Sequence, residues 1–548
     1  MPTIEVRIWD LERIARTSIN YAELDGLLSK LKCEVEEVRG DVLIYEASHD
    51  RPDLFSAEGL GRAIRNLKGI ERGFKELELV NTSIEVLAEG PPNYRPYVLG
   101  AVVRGLRLDD EAIRQLFQLQ EKLHIGYCGD RSLVAIGIHD LRAIDPPIYY
   151  KAVSEYVFKP LGYDIEMSIK DVLQVVDKGV KYRHLVREGA YPLLVDSKGM
   201  VLSLPPIING DYTKITPDTR DVFIDITGTE PELMSRILNV VIGSLIERSD
   251  NPVVGKVRVV GSRSSYSPNY YAKEFKLSVN NVKSLTGIEL GVDDIVNCLS
   301  VMGFNAFQLG DEVVLVKVPP YRIDVMHEVD LIEDILIGFG YEHIETELLP
   351  ATHPGGQHPI ERFSRIVRDV LVGLGIQEVV NFMMVDSQYL NDLGFKDFVA
   401  LENPKMKAYS AIRNSLIPSI LQSISLNSKF SKELKIFEVG DVVEVRGGAV
   451  DSVRKLCVGI STPKTTLTDS LIVLKSLMYT LNIKYTLDRC YEELMIPSRC
   501  AKVIVGGKEV GIAGEVHPRI LNYISYTQPV AVLELNLTEL LNTIKESR

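Results

Sequence analysis

The sequence lacks the patterns that mark several classes of protein. Its six cysteines form no Cys-x-x-Cys pair and have no histidine at zinc-ligand spacing, which argues against a zinc module and against a disulfide framework. No apolar run approaches the roughly 18 residues of a membrane span, and the first residues lack the basic and apolar blocks of a signal peptide. We therefore expect a cytoplasmic protein with reduced, buried thiols and no membrane partner.

Positive charge is scarce as well. The 548 residues include 62 Lys and Arg against 75 Asp and Glu, a formal net charge of -13. Proteins that coat nucleic acid without specificity depend on Lys and Arg at the phosphates, so this balance argues against such a coat but allows a local basic patch. Hydrophobic residues make up 45% and charged residues 25% of the chain, as in ordinary globular proteins.

Three segments rich in proline, glycine and small polar residues divide the chain at residues 90–96, 261–268 and 350–359. The length suffices for three or four domains. We predict an N-terminal α/β domain at 1–88, a second domain at 89–268, a small domain at 269–345 and a last one at 346–548. Strands and helices after residue 360 follow no regular βαβ order, which predicts a largely antiparallel sheet packed by helices. The expected fold class is multidomain α+β.

One helix near the middle of the chain carries an unusual number of acidic residues. Apolar residues recur there at spacings of four, three, four and three, which predicts an amphipathic helix; they are Val325, Val329, Ile332, Leu336 and Phe339. Asp324 is a suitable N-cap for this helix, and Gly338 and Gly340 mark its end.

The acidic side chains of this helix are predicted to share one face. Asp330, Glu333 and Asp334 stand at positions i, i+3 and i+4, and Asp324 can reach back from the cap. Like charges at this spacing repel, so the cluster needs either water around it or a cation between the carboxylates. With only oxygen ligands present, Mg²⁺ fits better than zinc. A solvated acidic helix face is the alternative.

A polar strand and a polar loop predict a ligand pocket in the second domain. Residues 223–229 alternate like a strand, with Asp225, Thr227 and Thr229 on one face. The loop at residues 205–215 combines two prolines and a glycine with Asn209 and Thr213, so its backbone is free to bind a ligand. A strand edge facing solvent explains the same pattern equally well.

An arginine between two aspartates opens an early helix. Asp50, Arg51 and Asp53 form a turn with Pro52, and Ser56 can cap the helix that follows. Such an arginine usually stabilises a turn through an ion pair, while binding of RNA or of a partner is the alternative.

These motifs together carry a resemblance to a known family. The runs at 318–341, 287–290, 205–215, 135–141 and 51–54 stand in the order found in the β subunit of phenylalanyl-tRNA synthetase, and the resemblance covers essentially the whole chain. The length is similar to that of the shorter archaeal and eukaryotic type. One departure is Ser48-His49, where archaeal relatives are expected to have Asn-Pro.

The resemblance implies an α2β2 phenylalanine–tRNA ligase that binds tRNA(Phe) and uses ATP. The active site for aminoacylation would belong to the α subunit, so no catalytic residue for that step is expected here. Residues 269–345 would form a small winged-helix-like domain that carries a Mg²⁺ shared with the α subunit, on Asp324, Asp330, Glu333 and Asp334. Residues 346–548 would form a class II synthetase-like module without catalysis, because Arg413-Asn414-Ser415 has serine where that class has an acid. The run at 511–519 does not reproduce the third class II motif either.

The resemblance also implies that the second domain is an editing-type α/β domain, which removes tyrosine wrongly attached to tRNA(Phe). A pocket shaped for phenylalanine rejects an added hydroxyl only by about 10²-fold, so a second site has to recognise that hydroxyl. Suitable polar residues are Asn209, Thr213, Asp225 and Thr227, with His139 and Leu202 as pocket walls. The sequence shows no Ser-His-Asp or Cys-His set, so hydrolysis would depend on a positioned water.

Two other functions fit parts of the same pattern. One is a stand-alone deacylase that removes amino acids from tRNA without a second subunit. The other is a non-enzymatic scaffold that binds RNA or a partner and has a solvated acidic helix.

Overall fold

The computed structural model describes residues 1–261, 264–348 and 354–546 of the chain. They divide into two units, Met1–Glu347 and Leu348–Arg548. Parts of the linkers predicted at 261–268 and 350–359 lie outside the described residues. Within the described ranges, no helix combines the length and apolar character needed to cross a membrane.

The first unit begins with a three-stranded antiparallel sheet in the order β1-β3-β2. Its elements are β1 (Thr3–Arg7), α1 (Ile8–Ala15), α2 (Tyr21–Lys30), β2 (Cys33–Arg39), β3 (Val42–Ala47) and α3 (Ala57–Leu67). Ser56 occupies the N-cap position of α3 as predicted, but its hydroxyl lies 3.3 Å from that of Ser244 instead of capping the helix.

A ten-stranded sheet forms the centre of the first unit, in the order β12-β11-β10-β7-β4-β14-β5-β13-β6, with β15 on β14. The elements are β4 (Leu79–Ala88), β5 (Tyr97–Arg104), α4 (Asp110–Gly126), β6 (Val134–Asp140), β7 (Ile148–Val153), β8 (Val157–Phe158), β9 (Met167–Ser168), α5 (Ile169–Val175), α6 (Asp177–Tyr182), β10 (Tyr191–Val195), β11 (Val201–Leu204), β12 (Ile208–Asn209), β13 (Val222–Gly228), α7 (Pro231–Leu245), β14 (Val253–Val260) and β15 (Ser264–Ser267). Strands β8 and β9 pair separately.

The boundary predicted at residue 88 does not separate two sheets. Strand β4 lies before that boundary, yet it pairs in parallel with β14 and β7. Pairing between strands so far apart in the chain, such as Leu79 of β4 with Val254 of β14, leaves no local pattern in the sequence. One hydrophobic core also joins the first sheet to this one, through residues such as Leu11, Leu60, Leu119 and Ile237.

The last part of the first unit is a three-stranded sheet with three helices. Its strands have the order β16-β18-β17, and its elements are β16 (Lys273–Ser278), α8 (Val279–Thr286), α9 (Val292–Val301), β17 (Asn305–Gly310), β18 (Val313–Val318) and α10 (Glu328–Phe339). Helix α10 is the predicted acidic helix. Gly340 ends it with a φ of 96°, in the region that favours glycine.

The second unit is built on a seven-stranded sheet in the order β19-β23-β24-β28-β27-β26-β25, with a small sheet β20-β22-β21. Its elements are α11 (Pro359–Gly373), β19 (Gln377–Glu378), β20 (Met384–Val385), α12 (Ser387–Asp392), β21 (Val399–Ala400), β22 (Ala411–Ile412), α13 (Ile417–Asn427), β23 (Leu434–Arg446), β24 (Ala449–Ser461), α14 (Leu467–Thr480), β25 (Thr486–Arg489), β26 (Met495–Val505), β27 (Lys508–Val516), α15 (Pro518–Tyr523), β28 (Val530–Asn536) and α16 (Leu537–Glu546). Within the large sheet every described pair is antiparallel except β19 with β23. The largely antiparallel sheet predicted for this region is therefore confirmed.

Helices cover both faces of this sheet. Helices α11, α14 and α16 pack on one side, with Leu371, Leu474 and Leu540 in the core, and α13 packs on the other with Ile420 and Ile424. The chain as a whole is a multidomain protein of mixed helices and strands.

Candidate functional site

A pocket of about 110 Å³ opens beside the central strand β13 in the first unit. One water needs roughly 10–15 Å³, so the pocket has room for a ligand group together with water. Its walls come from α4, from β6, from the segment at residues 203–209, where β11 turns into β12, and from Asp225. Asn209 and Asp225 are therefore two predicted site residues that the structure brings together.

The carboxylate of Asp225 is hydrogen-bonded to a buried histidine, His139. His139 Nε2 lies 2.7 Å from Asp225 Oδ1, and His139 Nδ1 lies 2.8 Å from Thr213 Oγ1. An ionised carboxylate only accepts hydrogen bonds, so Nε2 carries the proton that it donates to Asp225. In the neutral ring Nδ1 is then the acceptor for the Thr213 hydroxyl. His139 and Thr213 do not line the pocket, and they fix the position of the carboxylate that does.

Thr213, His139 and Asp225 form a hydrogen-bonded chain of a hydroxyl, an imidazole and a carboxylate, which the sequence alone does not show. The Thr213 hydroxyl is fully buried and stands on the side of the ring away from the pocket. It is therefore not placed to act as a nucleophile, and the expectation of hydrolysis by a positioned water is unchanged.

Gly137 makes room for the Asp225 side chain. It lies opposite Asp225 in the pairing of β6 with β13, and a Cβ added at this glycine would collide with the Asp225 carboxylate and with His139 Nε2. Any larger residue at 137 would push the carboxylate out of place.

Two further predicted residues lie outside the pocket. Leu202 is fully buried in a hydrophobic cluster with Phe223, so it is a core residue. The Thr227 hydroxyl accepts a hydrogen bond of 3.0 Å from Arg95 Nε, and its carbonyl accepts one of 2.9 Å from Arg95 Nη2. Burial lowers the pKa of Arg95 to about 10. Thr227 therefore belongs to a buried polar contact.

Two pocket residues were missed in the sequence. The Ser203 hydroxyl is buried and has no hydrogen-bond partner among the described residues. Strand alternation offered a signal for it, because Leu202 and Ser203 must face opposite sides of β11. Arg131 holds the loop of the pocket by donating to the carbonyls of Pro206 and Ile207, at 3.2 and 3.1 Å. No local pattern pointed to Arg131.

The start of the acidic helix differs from the prediction. His327, not Asp324, is the N-cap of α10, and its ring accepts from the Val329 amide at 3.3 Å. Asp330 Oδ2 accepts from the amides of Met326 and His327 at 2.8 Å each. Asp330 is thus used to satisfy backbone donors at the start of the helix.

The predicted apolar stripe of α10 is also partly wrong. The side chain of Val329 is exposed, while Leu331 and Ile335, which the pattern left out, are fully buried. Apolar residues occur at so many positions of this helix that the spacing alone fits more than one buried face.

A buried arginine takes the place expected for a cation. Arg322 donates to Asp324 at 2.8–3.2 Å and to Asp334 Oδ2 at 2.6 Å. Its guanidinium stacks 4.7 Å from the centre of the Phe304 ring. Burial raises the pKa of Asp334, and the charge of Arg322 offsets part of that rise.

The four predicted metal ligands therefore do not form one cluster. Glu333 points elsewhere and pairs with Lys32 at 2.8 Å. No group of three or more His, Cys, Asp or Glu side chains in the described part of the chain is arranged to hold a metal ion. The residues present in this arrangement do not fit a Mg²⁺ bound by all four carboxylates. Arg322 neutralises Asp324 and Asp334, and Asp330 accepts from backbone amides at the start of the helix.

The turn at Arg51 is a buried ion pair. Arg51 donates to both oxygens of Asp53, at 2.9 and 3.0 Å, and both residues are buried. This agrees with the turn-stabilising role predicted for Arg51.

In the second unit, the charged side chains on one sheet face neutralise each other. Arg413 pairs with Glu438 at 2.8 Å and is buried. Ser415 Oγ donates to Glu534 Oε1 at 2.7 Å, and Lys455 lies 3.5 Å from Glu534 Oε2. Arg413, the arginine compared with a class II motif in the sequence, is thus bound to an internal carboxylate.

The same unit exposes an apolar surface near α13. Val380 is 89% exposed, Phe382 75% and Leu426 64%. Phe382 contacts Tyr409 edge to face, with 5.8 Å between ring centres. Ser423 of α13 donates to Asn381, which stands between Val380 and Phe382 in the chain. Exposed apolar patches of this kind mark interaction surfaces.

Comparisons with known proteins agree with the resemblance. A family model described as "tRNA synthetase B5 domain" matches residues 275–341, and one described as "Phenylalanyl tRNA synthetase beta chain CLM domain" matches residues 344–537. The "Phenylalanine--tRNA ligase beta subunit" of Thermofilum pendens is 41% identical over 545 residues, 98% of each chain. That of Pyrococcus furiosus is 37% identical over 556 residues, 98% of this chain and 100% of the relative.

A solved structure supports the same assignment. An N-terminal fragment of the phenylalanyl-tRNA synthetase beta subunit from Pyrococcus horikoshii is 38% identical, with a TM-score of 0.59 over 62% of this chain and 100% of the fragment. By class, the chain is thus a subunit of an aminoacyl-tRNA synthetase. It belongs to the phenylalanine–tRNA ligase β subunit family.

The buried pairing of Arg322 leads to a stability prediction. Arg322→Met leaves Asp334 buried without a counter-charge, so we expect the free energy of unfolding to fall by about 3–5 kcal/mol. Lys32→Met is the matched control, because the Lys32–Glu333 pair is partly exposed and should cost at most about 1 kcal/mol. Denaturant unfolding of the two variants measures both values.

A chelator provides the second arm of this experiment. If Arg322 is the counter-charge of the cluster, EDTA leaves the unfolding midpoint of the isolated wild-type chain unchanged. A lower midpoint in EDTA, or equal stability of Arg322→Met and the wild type, would contradict the arrangement described for α10.

Proposed function

We propose that this chain is the β subunit of a phenylalanine–tRNA ligase, that it supports an α subunit carrying the aminoacylation site, and that it hydrolyses tyrosine wrongly joined to tRNA(Phe). Membership of the family over 98% of the chain carries the first part. The pairing of Arg413 with Glu438 supports the absence of an aminoacylation site here. Phenylalanine, ATP and tRNA(Phe) are then substrates of the whole α2β2 complex.

The pocket beside β13 supports the editing part of the proposal. Among the six residues predicted for editing, Asp225 is the carboxylate, and it faces the pocket with one oxygen held by His139. Asn209 and the unpaired Ser203 hydroxyl offer hydrogen bonds to a substrate hydroxyl or to a water. Lys178 and Arg131 at the same walls share Glu121 as their counter-ion, so one net positive charge is left, which suits the phosphates of an RNA end.

In this mechanism Asp225 positions and activates the attacking water. The carboxylate accepts a proton from the water as it attacks the ester carbon between tyrosine and the terminal ribose. The ester bond breaks, the ribose oxygen leaves and takes the proton back from Asp225, and tyrosine is released with a free carboxylate. Glu121, the other carboxylate at the pocket walls, is bound to Arg131 and lies 3.3 Å from Lys178, so Asp225 is the better base.

Asp225→Asn tests the base directly. We expect hydrolysis of Tyr-tRNA(Phe) by the α–β complex to slow by about 100-fold or more, because the amide accepts protons poorly. Formation of Phe-tRNA(Phe) should stay at the wild-type rate. Both rates are measured with labelled amino acids on the purified complex.

The control for this variant is Asp145→Asn. Asp145 pairs with Lys198 on the surface and should not affect hydrolysis. Unchanged hydrolysis in Asp225→Asn would rule out Asp225 as the base. Full-rate hydrolysis by the chain without an α subunit would instead favour a stand-alone deacylase.

His139→Gln tests the positioning role of the histidine. The glutamine cannot bridge Thr213 and Asp225 in the same geometry, so we expect hydrolysis to slow by about 10-fold. The maximal rate should fall while the KM for Tyr-tRNA(Phe) stays unchanged, because His139 orients the carboxylate and does not line the pocket. Both constants are measured with Tyr-tRNA(Phe) at a series of concentrations.

Thr213→Ser serves as the conservative control, since it keeps the hydroxyl that bonds to His139. Its maximal rate and KM should match those of the wild type. A slower His139→Gln enzyme with a raised KM would mean that His139 shapes the pocket and does not position the carboxylate.

The exposed apolar surface near α13 is proposed to bind the α subunit. Phe382→Asp places a charge at its centre, and we expect binding of the α subunit to weaken at least about 10-fold, as for other central interface residues. Phenylalanine-dependent pyrophosphate exchange in the co-purified sample should fall in parallel. Pull-down of a tagged α subunit measures the binding.

Tyr479→Asp is the matched control, because Tyr479 is also an exposed aromatic residue but lies on α14, which packs on the opposite sheet face. Equal recovery of the α subunit with Phe382→Asp and with the wild type would exclude this surface as its binding site.

Two features implied by the resemblance stay predictions: a Mg²⁺ shared with the α subunit and the winged-helix-like character of residues 269–345. Metal analysis of the purified complex tests the first.

A further inference from the structure

Two cysteines of the second unit lie next to the last paired position of two neighbouring strands. Strands β25 and β26 pair antiparallel as far as Arg489 and Ala501. Cys490 directly follows Arg489, and Cys500 directly precedes Ala501, so the next position along this register places the two cysteines opposite each other; the neighbouring Cys500 thiol also helps to raise the pKa of Cys490. Neither the family assignment nor the editing proposal uses these residues.

The spacing of such a pair suits a disulfide. Opposite residues on antiparallel strands have Cα atoms about 4.5–5.5 Å apart, and a disulfide spans about 4.4–6.8 Å between Cα atoms. The spacing expected at this position of the register therefore falls in the range that a disulfide spans. We propose that Cys490 and Cys500 are a redox site, at which a small-molecule disulfide oxidises the two thiols to an intramolecular disulfide.

The two thiols differ in accessibility, which sets their order of reaction. Cys490 is buried, while Cys500 is partly exposed. Burial, followed by the hydrogen bond with Cys500, raises the pKa of Cys490 to about 12. Since the thiolate is the reactive form, Cys500 is the thiol that reacts first with a reagent in solution.

The reaction proceeds by two exchanges. The Cys500 thiolate, having lost its proton to water, attacks one sulfur of the reagent; the sulfur–sulfur bond of the reagent breaks, and one thiolate leaves and takes up a proton. Cys490 then loses its proton to water and attacks Cys500 Sγ, which releases the second reagent thiolate, also protonated. Two protein thiols are oxidised, and one reagent disulfide is reduced to two thiols.

The bond would fasten an edge of the large sheet. Strand β25 is the last strand in the sheet order, and it pairs with β26 at the four positions from 486 to 489. An edge strand held on one side only is prone to local opening. A disulfide at the end of this short ladder would join β25 covalently to β26.

The experiment uses the full-length chain, purified under reducing conditions and then exposed to oxidised glutathione. We expect the number of free thiols, counted after unfolding, to fall from six by two. Trypsin cleaves after Arg489 and Arg499, so the two cysteines fall on separate peptides, residues 490–499 and 500–502. Mass spectrometry should find these peptides linked, and a reductant should separate them.

Three variants make the result specific. Cys490→Ser should stop after the first exchange and keep glutathione on Cys500, whereas Cys500→Ser should lose no thiol. Cys298→Ala, which removes a buried cysteine of the first unit, should still lose two thiols. Six free thiols in the oxidised wild type, or a stable glutathione adduct on wild-type Cys500, would overturn the proposal.

Discussion

Ion pairs between buried arginines and carboxylates constrain much of the described structure. Arg322 neutralises two carboxylates at the start of α10, Arg413 neutralises Glu438 in the second unit, and Arg51 neutralises Asp53 in the first. A charge left alone in such a place costs several kcal/mol. These contacts also remove their members from chemistry, because a carboxylate bound to an arginine is a weak base.

Asp225 differs from the carboxylates that pair with these arginines. Its partner is an imidazole, which orients one oxygen while the side chain still faces a pocket. Gly137, which also lines the pocket, leaves the space that the carboxylate needs. In the second unit, by contrast, Arg413 pairs with Glu438 and Ser415 donates to Glu534.

The predictions that succeeded depended on short-range patterns. The acidic helix, the buried turn at Arg51, the central strand with Asp225 and the antiparallel C-terminal sheet all follow from periodicity or turn residues within one segment. The predictions that failed depended on which side chains contact each other. Asp324 suits an N-cap by residue type, but Arg322 binds its carboxylate and His327 occupies the N-cap. Leu202 was expected at a pocket wall, but strand pairing turns it into the core and turns Ser203 to the pocket.

The sequence by itself determined which segments become helices and strands, and its motifs in order indicated the family. It also supplied the acidic residues of α10 and the polar residues of β13. Only the tertiary structure decided which of these residues meet. His139, Thr213 and Asp225 come from three separate segments, and Cys490 meets Cys500 only through the register of β25 and β26. The reason is physical: backbone preferences act over a few residues, whereas the partner of a buried polar group is chosen by packing between elements far apart in the chain.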